Sequence, residues 1–350
     1  MNLDSFKTKV GSLLEKKDKN VEDQKEINDA VVKFSEADVH TPNLDESIQK
    51  AMETIRGGLQ ENYNYIAEEQ KMIQEERANL GEEIQNELSK LNDAQAKLEE
   101  SIGNKYGHHF QDALNACKNC IRDYESLLEL MEQNSSYAAG GAVPMEAYQR
   151  EKTFASELTV REQAINMLVS ITPSQRAVIR DYTGLGYQPM NTALREGKLD
   201  SETGTVKQNI IELHNLLKNY HTSTEITLYR GVDSNITMVP GKRKGLDQFS
   251  DEELCGKILG DKAFVSTSLR EDTAFNKPTV LVLNAPAGTR GAYLGDIGTQ
   301  GDKESEFLMD CGQLFKVTHV NRRNGKRYIY ANVLVQPSVK KPKKYTARRF

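Results

Sequence analysis

The character of this 350-residue chain changes once, near Glu225, and that change limits what it can become. Before it, apolar residues recur three or four apart, as on one face of a helix. After it come short alternating runs at 225–232, 262–269, 279–284, 290–294, 306–310, 313–321 and 327–336, which read as strands. Helices first and strands afterwards specify an α+β protein whose sheet core is antiparallel.

The helical half has its own logic. Leu59, Tyr63, Ile66, Ile73, Leu80, Ile84, Leu88, Leu91, Leu98 and Ile102 form a heptad-like seam, with two successive spacings of four that resemble a stutter. Gly103 to His109 turns the chain, and Phe110 to Met131 supplies a partner helix. Residues 1–134 are therefore expected to form a helical hairpin or bundle, coiled-coil-like in its packing. Asn134 to Pro144 is small and uncharged, so 135–144 reads as a linker. Beyond it, Glu146–Ile171, Ser174–Tyr182 and residues 206–219 read as further helices, which puts a second domain at 145–337.

Charge divides the same way. Residues 1–140 hold 16 Lys+Arg and 28 Asp+Glu, net −12, leaving 30 and 23, net +7, for the remainder. Two units with different tasks are expected. Neither is basic enough to make DNA a partner, and the basic end at 338–350 reads as a solvated tail. The acidic helical half reads as a spacer or as a surface for a helical partner or a secretion or adaptor factor.

Four cysteines in 350 residues do not suggest a disulfide framework, and Cys117-Lys118-Asn119-Cys120 lacks a matching second pair, so structural thiols are expected. The six histidines are scattered apart from His108-His109, and no metal site is expected. No apolar run is long enough for a transmembrane segment, and the charged first thirty residues contain no conventional signal peptide. Secretion by a non-classical route, or a cytoplasmic location, follows as the expectation.

The chemistry concentrates in three stretches. Lys303-Glu304-Ser305-Glu306-Phe307-Leu308-Met309 places two carboxylates two residues apart, on one face if the segment is extended. Glu225-Ile226-Thr227-Leu228-Tyr229-Arg230-Gly231-Val232 delivers an arginine and then a glycine, which sets a cation beside backbone that a ligand can approach. Phe264-Val265-Ser266-Thr267-Ser268-Leu269 puts Ser266 and Ser268 on one face of a strand. Immediately upstream of the first of these stretches, Gly295 to Asp302 is polar and glycine-punctuated, like a loop over a site.

The order Arg230, Ser266-Thr267-Ser268, Glu304-x-Glu306 resembles the arginine-serine-glutamate class of mono-ADP-ribosyltransferases, and is similar to the enzymatic components of clostridial binary toxins and related exoenzymes. The segment from Asp181 to Arg195 extends that resemblance, which covers roughly 145 to 337 and none of the first 135 residues. It implies an ADP-ribosyltransferase-type domain with N-terminal helices and an antiparallel β-sandwich core, using NAD as co-substrate and no metal. It implies cofactor contacts from Tyr182, Tyr187 and Asn191, with Arg230 on the phosphates and the Gly231 backbone on the nicotinamide amide. It also assigns Ser266 to hold Glu306, and Glu306 to stabilise the ribosyl cation as nicotinamide leaves. Family members often carry basic or asparagine residues where this chain has Gly231 and Ala263, so Arg195, Arg270 or Lys277 are candidates for the missing contacts.

Glu304 bears on the acceptor. A guanidinium keeps its proton at neutral pH and attacks only if a base shares that proton, and a glutamate at this position accompanies arginine acceptors in the family. The resemblance thus implies a bacterial or phage effector that modifies an arginine of a protein target, a host protein such as actin among the candidates. Two other readings stay open: an NAD glycohydrolase with water as acceptor, and a helical adaptor whose NAD-binding domain does not react.

Overall fold

The computed structural model describes residues 46–103, 110–137, 143–199, 201–202, 204–233, 245–298 and 305–335, with the single positions 26, 29 and 33. Glu304, the end of the loop read at 295–302 and the basic tail at 338–350 lie outside the described residues, as does nearly all of the chain before residue 46.

Three long helices come first: α1 (Glu46–Ile102), α2 (Gln111–Tyr137) and α3 (Met145–Ser170). Within the predicted seam of α1, Ile73, Ile84, Leu91 and Leu98 are buried, and the helix runs unbroken through Gly57, Gly58 and Gly81. Chain contacts divide the protein into two compact units, one of residues 1–89 with 124–154 and the other of 90–123 with 155–350.

The first unit is built around a buried ion pair. Arg77 grips the fully buried Glu151 through Nε at 2.7 Å and Nη2 at 3.0 Å, and Asn134 Nδ2 adds a third bond to the same carboxylate at 2.7 Å. Val143, Ala147 and Tyr148 pack with Ile73. Asn134 and Ser135, read from composition as the start of a linker, stay helical because each has a fixed hydrogen-bond partner: Glu151 for Asn134, the Met131 carbonyl for Ser135.

In the second unit, α4 (Pro173–Asp181) starts on a capping box, Thr172 with Gln175, and has proline in its first turn. A π-type turn over Tyr182–Gly186 follows, broken at Gly184 (φ −91°, ψ −113°), and leads into α5 (Tyr187–Glu196). The Asp181 carboxylate lies against Gly186, so a Cβ there would require that side chain to move. Helix α6 (Thr205–Leu217) completes the helical part.

The strands are β1 (Ile226–Val232), β2 (Ile258–Gly260), β3 (Val265–Ser268), β4 (Thr279–Ala285), β5 (Gly291–Tyr293), β6 (Glu306–Met309), β7 (Leu314–Arg323) and β8 (Lys326–Leu334). They form one hydrogen-bonded series in the order β2-β7-β8-β4-β1-β3-β6-β5. The α+β reading therefore holds. The sheet is mixed rather than purely antiparallel, because β4 and β8 run parallel while every other pair is antiparallel. Strand alternation did not reveal β2, whose three residues are too few to show a period.

Period-two alternation sorts the β4 side chains: Leu281 and Leu283 join the main core with Leu228, Phe307 and Ile329, whereas Val280 and Val282 meet Tyr229, Tyr328 and Tyr330. Val160 and Ala164 of α3 close the main core. No helix among the described residues is long and apolar enough to cross a membrane.

Candidate active site

The cleft at the centre of the sheet is set by register. Strand β3 lies between β1 and β6, with Ser266 opposite Leu308 and Ser268 opposite Glu306. Ser266 therefore shares a face with Glu306 one diagonal step away, within reach of its side chain. Ser266 Oγ donates to Glu306 Oε1 at 2.6 Å, and Glu306 is 7% exposed. Thr267, on the other face, ties the strands together by donating to the Phe307 carbonyl at 2.6 Å. Ser268 serves the following loop, hydrogen-bonding the Thr273 hydroxyl and accepting from the Arg270 amide.

Arg230 alternates with Leu228 and Val232 on a strand row that is otherwise core, so its guanidinium has to be paired. It donates to the Ser266 carbonyl at 3.2 Å and to Asp261 Oδ2 at 3.3 Å. Burial draws this guanidinium below its usual range, and the Asp261 carboxylate opposes that. Arg195, in the last turn of α5, takes the same carboxylate with a fork of 3.0 and 2.9 Å. Asp261, 3% exposed, also accepts from the Ala263 amide at 3.0 Å. Two guanidiniums on one buried carboxylate leave one net positive charge beside the cleft.

Sequence reasoning missed Asp261, which stands alone between a three-residue strand and a turn and becomes meaningful only when both arginines arrive. It missed Phe275 as well. That side chain is 60% exposed on the loop after β3, at the rim of a narrow cleft that Arg230, Gly231, Ser266 and Glu306 also line. The Phe275 carbonyl lies so close to Gly231 that any Cβ there would overlap it, so the glycine serves a close approach of backbone.

Tyr182 and Asn191 sit behind the arginines. Asn191 Nδ2 donates to the Tyr182 hydroxyl at 3.0 Å, and Tyr182 stands edge-on to Phe264 at 5.6 Å and to Tyr187 at 6.5 Å. Burial pushes the Tyr182 phenol up, against the bond from Asn191 and with a further push from the Glu306 charge. Tyr187 is 42% exposed, an available aromatic face at the end of the π-type turn. Asn191 Oδ1 is buried and has no hydrogen-bond partner among the described residues.

The remaining charge-based candidates each have a carboxylate partner. Arg270 pairs with Asp272 at 2.6 Å, and Lys277 with Asp233 at 3.0 Å, both exposed. Strand β6 begins at Glu306, and Ser305 just before it has φ +42°; Glu304, the other candidate of this stretch, lies outside the described residues.

An arginine held beside a Ser-Thr-Ser strand, whose first serine grips a buried glutamate, defines an ADP-ribosyltransferase-type site. The chain belongs to the ADP-ribosyltransferase exoenzyme family, whose sequence profile matches residues 149–336. It is 29% identical over 181 residues to the NAD(+)-arginine ADP-ribosyltransferase EFV of Enterococcus faecalis, a match covering 49% of this chain and 34% of that protein. It is 28% identical over 190 residues to the Photox toxin of Photorhabdus laumondii, covering 46% of this chain and 43% of the toxin. The chain thus spans less than half the length of either relative. Among solved structures, Plx2a, an ADP-ribosyltransferase toxin from Paenibacillus larvae, is 20% identical with a TM-score of 0.46, over 52% of this chain and 96% of that one.

Proposed function

We propose that this protein transfers ADP-ribose from NAD to an arginine side chain of a target protein, as an effector or toxin. The observation that carries the reading is the 2.6 Å hydrogen bond between Ser266 and the buried Glu306, in a cleft shared with Arg230. NAD enters as substrate, and the residues present suit it. The Arg195, Arg230 and Asp261 trio offers a net positive charge for a pyrophosphate, beside a cleft lined by Gly231, Ser266 and Glu306.

The chemistry follows from these positions. The bond between the ribose anomeric carbon and nicotinamide breaks, the pair of electrons leaves with nicotinamide, and the ribose becomes oxocarbenium-like. Glu306 stabilises that charge as a fixed carboxylate with little water around it. A guanidinium nitrogen then bonds to the same carbon and loses one proton to a base. Glu304 is the candidate for that base by its sequence position, and the name of the Enterococcus relative supports the arginine acceptor.

The test is labelled NAD with agmatine, a small alkylguanidine, as acceptor. Nicotinamide release and label transfer are expected from the native chain, and Glu306→Gln should lower both by about 10²-fold or more. Nicotinamide release without any transfer would make the protein a glycohydrolase, and near-native turnover in Glu306→Gln would overturn the site itself. Mass spectrometry of a lysate treated with the protein and labelled NAD would identify the target.

A further inference from the structure

Strand β6 has Glu306 at its start and, just past its other end, a turn that carries Asp310 and Cys311. The last turn of α6 brings His214 to that turn across 96 positions of sequence. No motif spacing joins the three. In the fold, His214 Nδ1 lies 2.8 Å from Asp310 Oδ1 and 3.7 Å from Cys311 Sγ, and the three potential ligand atoms lie within 4.8 Å of one another.

We propose that His214, Asp310 and Cys311 form a zinc-binding site with one coordination position open to solvent. The convergence on a single ring nitrogen carries the inference. Nδ1 has either one proton or one lone pair in the ring plane, so donating to Asp310 leaves it nothing with which to accept from the thiol. A cation at the centre of the three atoms satisfies all of them together.

The donor set is one imidazole nitrogen, one carboxylate oxygen and one sulfur, which suits the borderline-soft zinc ion and not calcium or magnesium. Spacing supports the same choice. Tetrahedral zinc with ordinary bond lengths puts its nitrogen and sulfur about 3.6 Å apart and its nitrogen and oxygen about 3.4 Å apart. The first is met by the 3.7 Å observed, and the second requires the 2.8 Å hydrogen bond to open by about 0.6 Å as the metal replaces the proton.

The surroundings fit a ligand set as well. Asp310 is 2% exposed and its Oδ1 accepts from the Cys311 amide at 2.8 Å, which holds the carboxylate in place. The His214 side chain is 42% exposed, so an ion has a path in from solvent. A bound ion would pin the end of α6 to the turn that finishes β6. Its role is to brace the strand that presents Glu306, away from the reacting atoms.

The experiment uses the full chain, stripped of metal by dialysis and titrated with Zn²⁺ and, separately, with Co²⁺. One equivalent of zinc should bind and raise Tm, and cobalt should show thiolate-to-metal charge-transfer absorption. Cys311→Ser should abolish that absorption, and His214→Gln should weaken zinc binding by more than about tenfold. Circular dichroism checks that both partly exposed substitutions leave the fold intact. Uptake of less than one equivalent by the native chain, cobalt binding without the charge-transfer band, or uptake unchanged in both variants would overturn the site. None of these readouts depends on NAD turnover, so the proposal stands or falls apart from the transferase reading.

Discussion

Ser266 reaches Glu306 diagonally across two paired strands, and the 2.6 Å bond between them depends on a register that sets Ser268, not Ser266, directly opposite the glutamate. A slip of one residue in β3 would turn both serines to the core face and bring Val265 and Thr267 to the cleft. Thr267 guards against that slip through its bond to the Phe307 carbonyl.

Ser266→Ala removes the hydroxyl and leaves the strand pairing intact. The carboxylate keeps its charge but loses its fixed direction. The expected outcome is a fall of about 10- to 100-fold in kcat for nicotinamide release, with KM for NAD changed far less. Ser266→Thr restores an oxygen and should recover part of the rate. Steady-state kinetics on the three proteins checks this, and equal losses in kcat and affinity would speak against a positioning role.

Asp261→Asn tests the shared carboxylate. Removing one partner of a buried ion pair leaves the other charge uncompensated, and here two guanidiniums lose their common anion. The amide keeps an oxygen for the Ala263 N–H, so the local turn should survive. A loss of about 3 kcal/mol in stability is expected, with a raised KM for NAD because the two forks are no longer held. Thermal unfolding and NAD titration measure both.

Residue patterns made the strand-borne part of this site legible and left the rest hidden, for physical reasons. Arg230, Ser266 and Glu306 lie within short alternating runs, where the period of two tells which side chains share a face. Asp261 and Phe275 lie in turns and loops, which have no period, and their roles come from what folds against them. His214 meets the adjacent pair Asp310 and Cys311 through tertiary closure alone. The same limit applies to the parallel pairing of β4 with β8, since alternation reports a strand's faces but not its neighbours. The positive φ of Ser305, just before β6, is likewise a backbone feature that no alternation signals.

Glu157, on α3, supplies a pH signature. Burial raises its carboxyl to about 7, with Arg270 and Arg161 opposing. An acid whose folded pKa lies above its unfolded value binds more protons when folded, so stability falls as pH rises between the two. The native chain should therefore lose stability from about pH 4.5 to about pH 7, by on the order of 1 to 2 kcal/mol after allowing for partial solvation. Glu157→Gln should flatten the profile across that window. Urea unfolding at several pH values gives the comparison, and a slope that persists in the variant would place its origin in another group.

The proposed transfer to arginine divides the reaction between the two glutamates. In that proposal Glu306 serves the ribosyl cation, whose formation is common to transfer and to hydrolysis. Glu304 has work only when the acceptor is a guanidinium, which must shed a proton as it attacks, whereas water needs less help. Glu304→Gln should then abolish label transfer to agmatine while slow nicotinamide release continues, and Glu306→Gln should remove both. Measuring the two products side by side for each variant separates the roles. Equal loss of both activities in Glu304→Gln would refute the division of labour, and full transfer in that variant would move the acceptor away from arginine.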